Sequence, residues 1–129
     1  MNFKSIIIIG LLVLIAVIFF SKPSISEDNT ITTDKVKKLL DEKADIFILD
    51  VRSQREYNDA HIKGVVLIPL GELKDNLDKI PKDKDVVALC AVGGRSGSAT
   101  KFLLDNGFTR VYNMLGGMKE WQKKGFPVE

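Results

Sequence analysis

The chain has 129 residues, 19 Lys and Arg against 17 Asp and Glu, and 45 % hydrophobic residues. That is room for one domain of ordinary size. Lys4 and Lys22 account for the whole excess of positive charge, so residues 27 to 129 are neutral, with 17 basic and 17 acidic side chains. A neutral domain without a basic block excludes nucleic acid as a partner suggested by charge.

Residues 6 to 20 read IIIIGLLVLIAVIFF, without one charged side chain. A run of this length lies at the upper limit of a signal-peptide core and a little below the roughly 20 residues of a spanning helix. Lys4 precedes it; Ser21, Lys22, Pro23 and a polar stretch follow. Residues 1–21 are therefore expected to be an export signal or a membrane anchor. Ser24 and Ser26 offer small residues for cleavage, while lysines at either end suit an anchor. Either reading predicts an exported, periplasmic or otherwise extracytoplasmic domain. No cysteine stands directly after the run, which excludes a lipid-modified lipoprotein. Residues 22–30 read as a linker and 31–129 as the domain.

Ile31 opens a short extended piece. Thr33 is the expected N-cap of a helix to about Glu42, with Val36, Leu39 and Leu40 on one face. The run IFIL, residues 46–49, suits a strand buried on both sides. A turn or short helix through Gln54 to Tyr57 leads to a strand, VVLI, over 65–68. Leu70, Leu73, Leu77 and Ile80 predict another helix, stopped by Pro81. VVAL, residues 86–89, is the next strand. Ala99, Phe102 and Leu103 mark the face of the following helix, which Gly107 ends. Residues 109–113 form a last strand, and Met118 and Trp121 sit on a final short helix. Strands and helices alternating in this way predict an α/β domain with a five-stranded, largely parallel sheet and helices on both faces. Ligands in such sheets bind beyond the carboxyl ends of the strands.

The one cysteine, Cys90, stands immediately after the strand VVAL. It cannot form an internal disulfide, so it is either an inert buried thiol or a reactive group. The segment Cys90-Ala91-Val92-Gly93-Gly94-Arg95-Ser96 decides between these. Two glycines let a short loop curl so that successive N–H groups face inward. With the start of the helix expected after Arg95, they would form a site for negative charge. Such a field lowers a thiol pKa, and the thiolate is the nucleophile.

The pattern CAVGGRS resembles the active loop of the rhodanese family. LDVRSQREYNDAHIKGVVLIPL, residues 49–70, resembles the family's first signature, and GGMKEW, residues 116–121, its closing one. Together they extend over roughly residues 31 to 127. The resemblance implies a parallel sheet sandwiched by helices, with the active loop wrapped around Cys90. It implies transfer of a sulfane sulfur, without a cofactor, from a donor such as thiosulfate to cyanide or a thiol through a Cys90 persulfide. Residues 91 to 95 would bind the persulfide through backbone N–H groups, and Ser96 would cap the helix or hydrogen-bond the sulfur. Cysteine phosphatases place their arginine six residues after the nucleophile; here Arg95 comes five after Cys90, and Leu89 stands where those enzymes carry His. Ala91 and Val92 occupy positions where several thiosulfate enzymes have a basic side chain. That leaves a polysulfide or a protein persulfide open as the donor.

Asp50, Arg52 and Glu56 are expected to support the loop. Arg52 would pair with Asp50 or Glu56, chiefly locking the strand end. Arg95 is either a cation for substrate or a partner of a carboxylate. His61 is expected to be structural: it supports no Ser/His/Asp set, and with one Cys it makes no metal site. Gly116-Gly117 reads as a turn. A sulfurtransferase leads; a sulfur carrier serving a partner protein, and an interaction domain with an inert Cys90, are the other readings.

Overall fold

The structure is a computed structural model, and it describes residues 28–129. The expected signal or anchor, including the run 6 to 20, and the linker up to residue 27 lie outside the described residues. The elements are β1 (Thr30–Ile31), α1 (Thr33–Asp41), β2 (Ile46–Asp50), α2 (Gln54–Asp59), β3 (Val66–Leu67), a 3₁₀ segment (Leu70–Lys79), β4 (Asp85–Leu89), α3 (Gly94–Asp105), β5 (Val111–Met114) and α4 (Gly117–Lys123).

All strand pairs are parallel, in the order β1-β5-β4-β2-β3. The central strand, β4, is thus covered on both edges and both faces, which explains why DVVAL carries no outward polar alternation. On one face Leu49, Val51, Val86 and Val111 meet Ala99 and Leu103 of α3 and Leu73 of the 3₁₀ segment. On the other, Ile48, Val87 and Leu89 meet Val36 of α1 and Met118 and Trp121 of α4. Met118 and Trp121 are core residues, as their spacing suggests.

Three local expectations need correction. The N-cap of α1 is Thr32, whose side chain accepts from the Lys35 N–H at 3.1 Å; Thr33 is buried inside the helix start. The segment after Pro69 is a 3₁₀ helix rather than α, interrupted at Asn76. Its apolar residues are spaced three, four and three apart, which a turn of three residues serves as well as one of 3.6. The chain's last strand runs Val111–Met114 rather than over 109–113.

In the β2–β4 register Asp50 lies beside Leu89, and the Val51 N–H donates to the Leu89 carbonyl at 3.0 Å. Asp50 is fully buried, and Arg52 grips it with Nε at 3.0 Å from Oδ1 and Nη2 at 2.8 Å from Oδ2. The remaining Arg52 donors reach the carbonyls of Glu56 and Ala60. This ion pair ties the end of β2 to α2, one residue along the register from Cys90. Arg52→Met would leave the Asp50 carboxylate buried without its partner. We expect a loss of about 3–5 kcal/mol, read as a lowered urea midpoint at constant m-value.

Candidate active site

Cys90 follows β4 directly and is buried at the base of the loop 90–96. The carbonyls of Cys90 and Ala91 turn to α4, where they accept the N–H groups of Met118 and Lys119 at 2.9 and 3.0 Å. This places the N-terminus of α4 against the outside of the loop. The approach is possible because Gly117 lacks a Cβ: a methyl there would sit 2.7 Å from the Ala91 carbonyl carbon and oxygen. Gly116 and Gly117 both have positive φ, 77° and 58°. The turn expected from this glycine pair therefore also serves as the loop's clamp.

Gly93 takes φ 108°, a conformation that side chains disfavour, and turns its N–H to Cys90 Sγ at 3.1 Å. Helix α3 starts at Gly94, so Ser96 is not the N-cap; that position belongs to Gly93. Ser96 is instead buried in the first turn, with Oγ 3.3 Å from Sγ and 2.6 Å from Asn113 Oδ1. The expectation of a cap rested on the preference of serine for that position. Two glycines move the helix start forward and turn the hydroxyl inward.

Burial pushes the Cys90 thiol up, but the hydrogen bonds of the Ser96 hydroxyl and of the Ser96, Gly93 and Val92 N–H groups outweigh it, and the net direction is down. The loop thus stabilises a thiolate with dipoles. Val92 is 62 % exposed at the rim.

Arg95 and Glu56 form a bidentate pair, Nη1 to Oε1 at 2.7 Å and Nη2 to Oε2 at 2.8 Å. Glu56 also closes the capping box at the start of α2, accepting from the Ser53 N–H and hydroxyl. Arg95 is thus the partner of a carboxylate in this structure. The Arg95 hydrogen bonds hold the Glu56 carboxyl down at about 2, well below the usual carboxylate range. Glu56 holds the Arg95 guanidinium higher still, with a smaller contribution from the charge at Cys90.

His61 does not belong to the site. Its ring stacks on Tyr57 with centroids 3.8 Å apart, and its backbone pairs with Glu129. Asn113 was not singled out in the sequence. It lies two residues after Val111 on β5 and so faces α3, where its Nδ2 donates to the Gly93 carbonyl at 3.1 Å. A polar residue on the core-facing register of a buried strand is the signal that points to it.

A family model described as Rhodanese-like domain matches residues 32–124. The chain belongs to the rhodanese-like domain family. It is similar to a protein of Allochromatium vinosum named Sulfurtransferase, 31 % identical over 100 residues that cover 78 % of this chain and 94 % of that one. It is also similar to YrkF of Bacillus subtilis, named as a candidate sulfur carrier, 36 % identical over 94 residues that cover 73 % of this chain and 51 % of YrkF. The chain thus spans about half the length of YrkF. Among solved structures, a rhodanese-like domain protein from Staphylococcus aureus superposes with a TM-score of 0.71 at 34 % identity, covering 78 % of this chain and 98 % of that one.

Three outcomes follow from this geometry. Ser96→Ala removes a donor to the sulfur, so the pKa read from the pH dependence of Cys90 alkylation should rise. Glu56 has a depressed folded pKa, so its stabilising contribution is complete above its ordinary value of 4.5 and is lost as pH falls through about 2. In acid titrations followed by circular dichroism, Glu56→Gln should flatten the stability profile between these limits. Gly117→Ala should lower stability by more than about 1 kcal/mol, since it adds both a clash and a side chain at positive φ.

Proposed function

We infer that the protein is a sulfurtransferase that carries a sulfane sulfur on Cys90 as a persulfide. The observation that supports this best is the pair of donors at Sγ, the Gly93 N–H and the Ser96 hydroxyl, in a loop shaped around one sulfur atom. The Cys90 thiolate attacks the outer sulfur of the donor. A new S–S bond forms, the donor's own bond to that sulfur breaks, and its remainder leaves with the electron pair. With thiosulfate the leaving group is sulfite. The persulfide's outer sulfur is then attacked by a thiol or cyanide, and Cys90 leaves as thiolate. No proton or redox equivalent from outside is needed. Loop dipoles stabilise the charge before and after each step.

A second reading, a sulfur carrier for a partner protein, is favoured by one feature. The loop has no unpaired cation for a small dianion, because Arg95 is committed to Glu56 and the next positions are Ala91 and Val92. The name of YrkF accords with that reading. The apolar run 6 to 20 supports placing the domain at the cell envelope, exported or anchored, and intact mass of the protein from its native cells tests this through N-terminal processing.

Exposure to thiosulfate or polysulfide should add the mass of one sulfur atom to the wild type and none to Cys90→Ser. A wild type that gains no sulfur from either sinks both readings. Steady turnover with cyanide or a thiol supports the enzyme; stable loading with negligible turnover supports the carrier.

A further inference from the structure

The Asn113 side chain joins two groups that both touch the sulfur, and its orientation follows from its partners. The Gly93 carbonyl can only accept, so the atom 3.1 Å from it is the amide Nδ2. Oδ1 therefore faces Ser96, and at 2.6 Å it takes the Ser96 hydroxyl proton. The same hydroxyl lies 3.3 Å from Cys90 Sγ. It has one proton and two acceptors.

While Cys90 is a thiol, Ser96 can donate to Asn113 and accept the S–H. When Cys90 ionises, that arrangement turns a lone pair of Ser96 toward a negative sulfur. Rotation of the hydroxyl points its O–H at the sulfur as a hydrogen bond, the proton staying on Oγ, and gives up the bond to Asn113. We propose that Asn113 is a positioning residue that competes with Cys90 for the hydrogen bond the Ser96 hydroxyl donates, accepting it while the sulfur is protonated and yielding it to the thiolate or persulfide. The inference rests on Cys90 being the nucleophile of the proposed reaction.

The charged groups nearby do not take this role. Arg95 is held by Glu56 from α2, and Asp50 by Arg52 at the end of β2. Asp28, Lys101 and Asp105 line a cleft together with Asn113, Lys101 paired with Asp105 and Asp28 accepting from the Thr30 hydroxyl. Lys119 of α4 meets the loop through its backbone N–H on Ala91. The other donors at Sγ are backbone N–H groups of the loop, those of Val92, Gly93 and Ser96, which have no competing acceptor to choose between.

The test is a cycle of Asn113→Leu, Ser96→Ala and the double variant, with the Cys90 pKa read from alkylation rate against pH. Asn113→Leu removes the competing acceptor. The pKa should fall by on the order of half a unit to one unit when Ser96 is present, and stay unmoved in the Ser96→Ala background. A merely structural Asn113 gives the opposite sign, since loosening Gly93 takes its N–H from the sulfur and raises the pKa in both backgrounds. A rise, no change with Ser96 present, or an equal change in both backgrounds overturns the proposal. Asn113→Ala takes the place of the leucine variant if that one does not fold. Sulfur loading of the wild type from polysulfide, measured by mass alongside, reports separately on Cys90 as sulfur acceptor.

Discussion

The site depends on where two carbonyl groups point. Cys90 and Ala91 give their oxygens to the first N–H groups of α4, and those bonds hold the backbone with its carbonyls outward. With the carbonyls committed there, the following stretch can turn N–H groups toward the sulfur without setting oxygen lone pairs against it. Gly117 permits the approach, and Gly93 completes the curl. A helix terminus that would otherwise leave N–H groups without partners is satisfied by the loop it shapes.

Charge plays a supporting part in this arrangement. The guanidinium groups at the sheet edge are each spent on a carboxylate, Arg52 on Asp50 and Arg95 on Glu56. They fasten β2, α2 and the loop into one frame. Stabilisation of the sulfur falls to neutral donors: the Gly93 N–H, fixed in place before any charge forms, and the Ser96 hydroxyl, whose oxygen is already in place and whose proton has only to turn. Such donors need little reorganisation when the thiolate or persulfide appears.

Much of this was legible in the sequence. The short apolar runs 46–49 and 86–89 are strands because they are buried on both faces, and alternation with helices made the sheet parallel. Cys90 at a strand's carboxyl end followed from the same pattern. What escaped depends on groups distant in sequence. Gly117 looks like any turn glycine until α4 is seen against Cys90. Asn113 gains its part only through the face that β5 presents to α3. Of the two parts expected of Ser96, the helix cap fails for a local reason, since Gly93 and Gly94 start the helix earlier and leave the hydroxyl facing the sulfur.

The central claim is that the folded loop, rather than the cysteine alone, makes the thiolate. Its most direct measurement is a titration of thiolate ultraviolet absorbance at Cys90 in the folded protein and again in urea, with Cys90→Ser as the blank. The folded pKa should lie clearly below the unfolded one, in the direction set by the Ser96 and Gly93 hydrogen bonds. A folded value equal to or above the unfolded one would mean that burial prevails over the donors, and the account of the loop as a sulfur-anion cradle would be wrong.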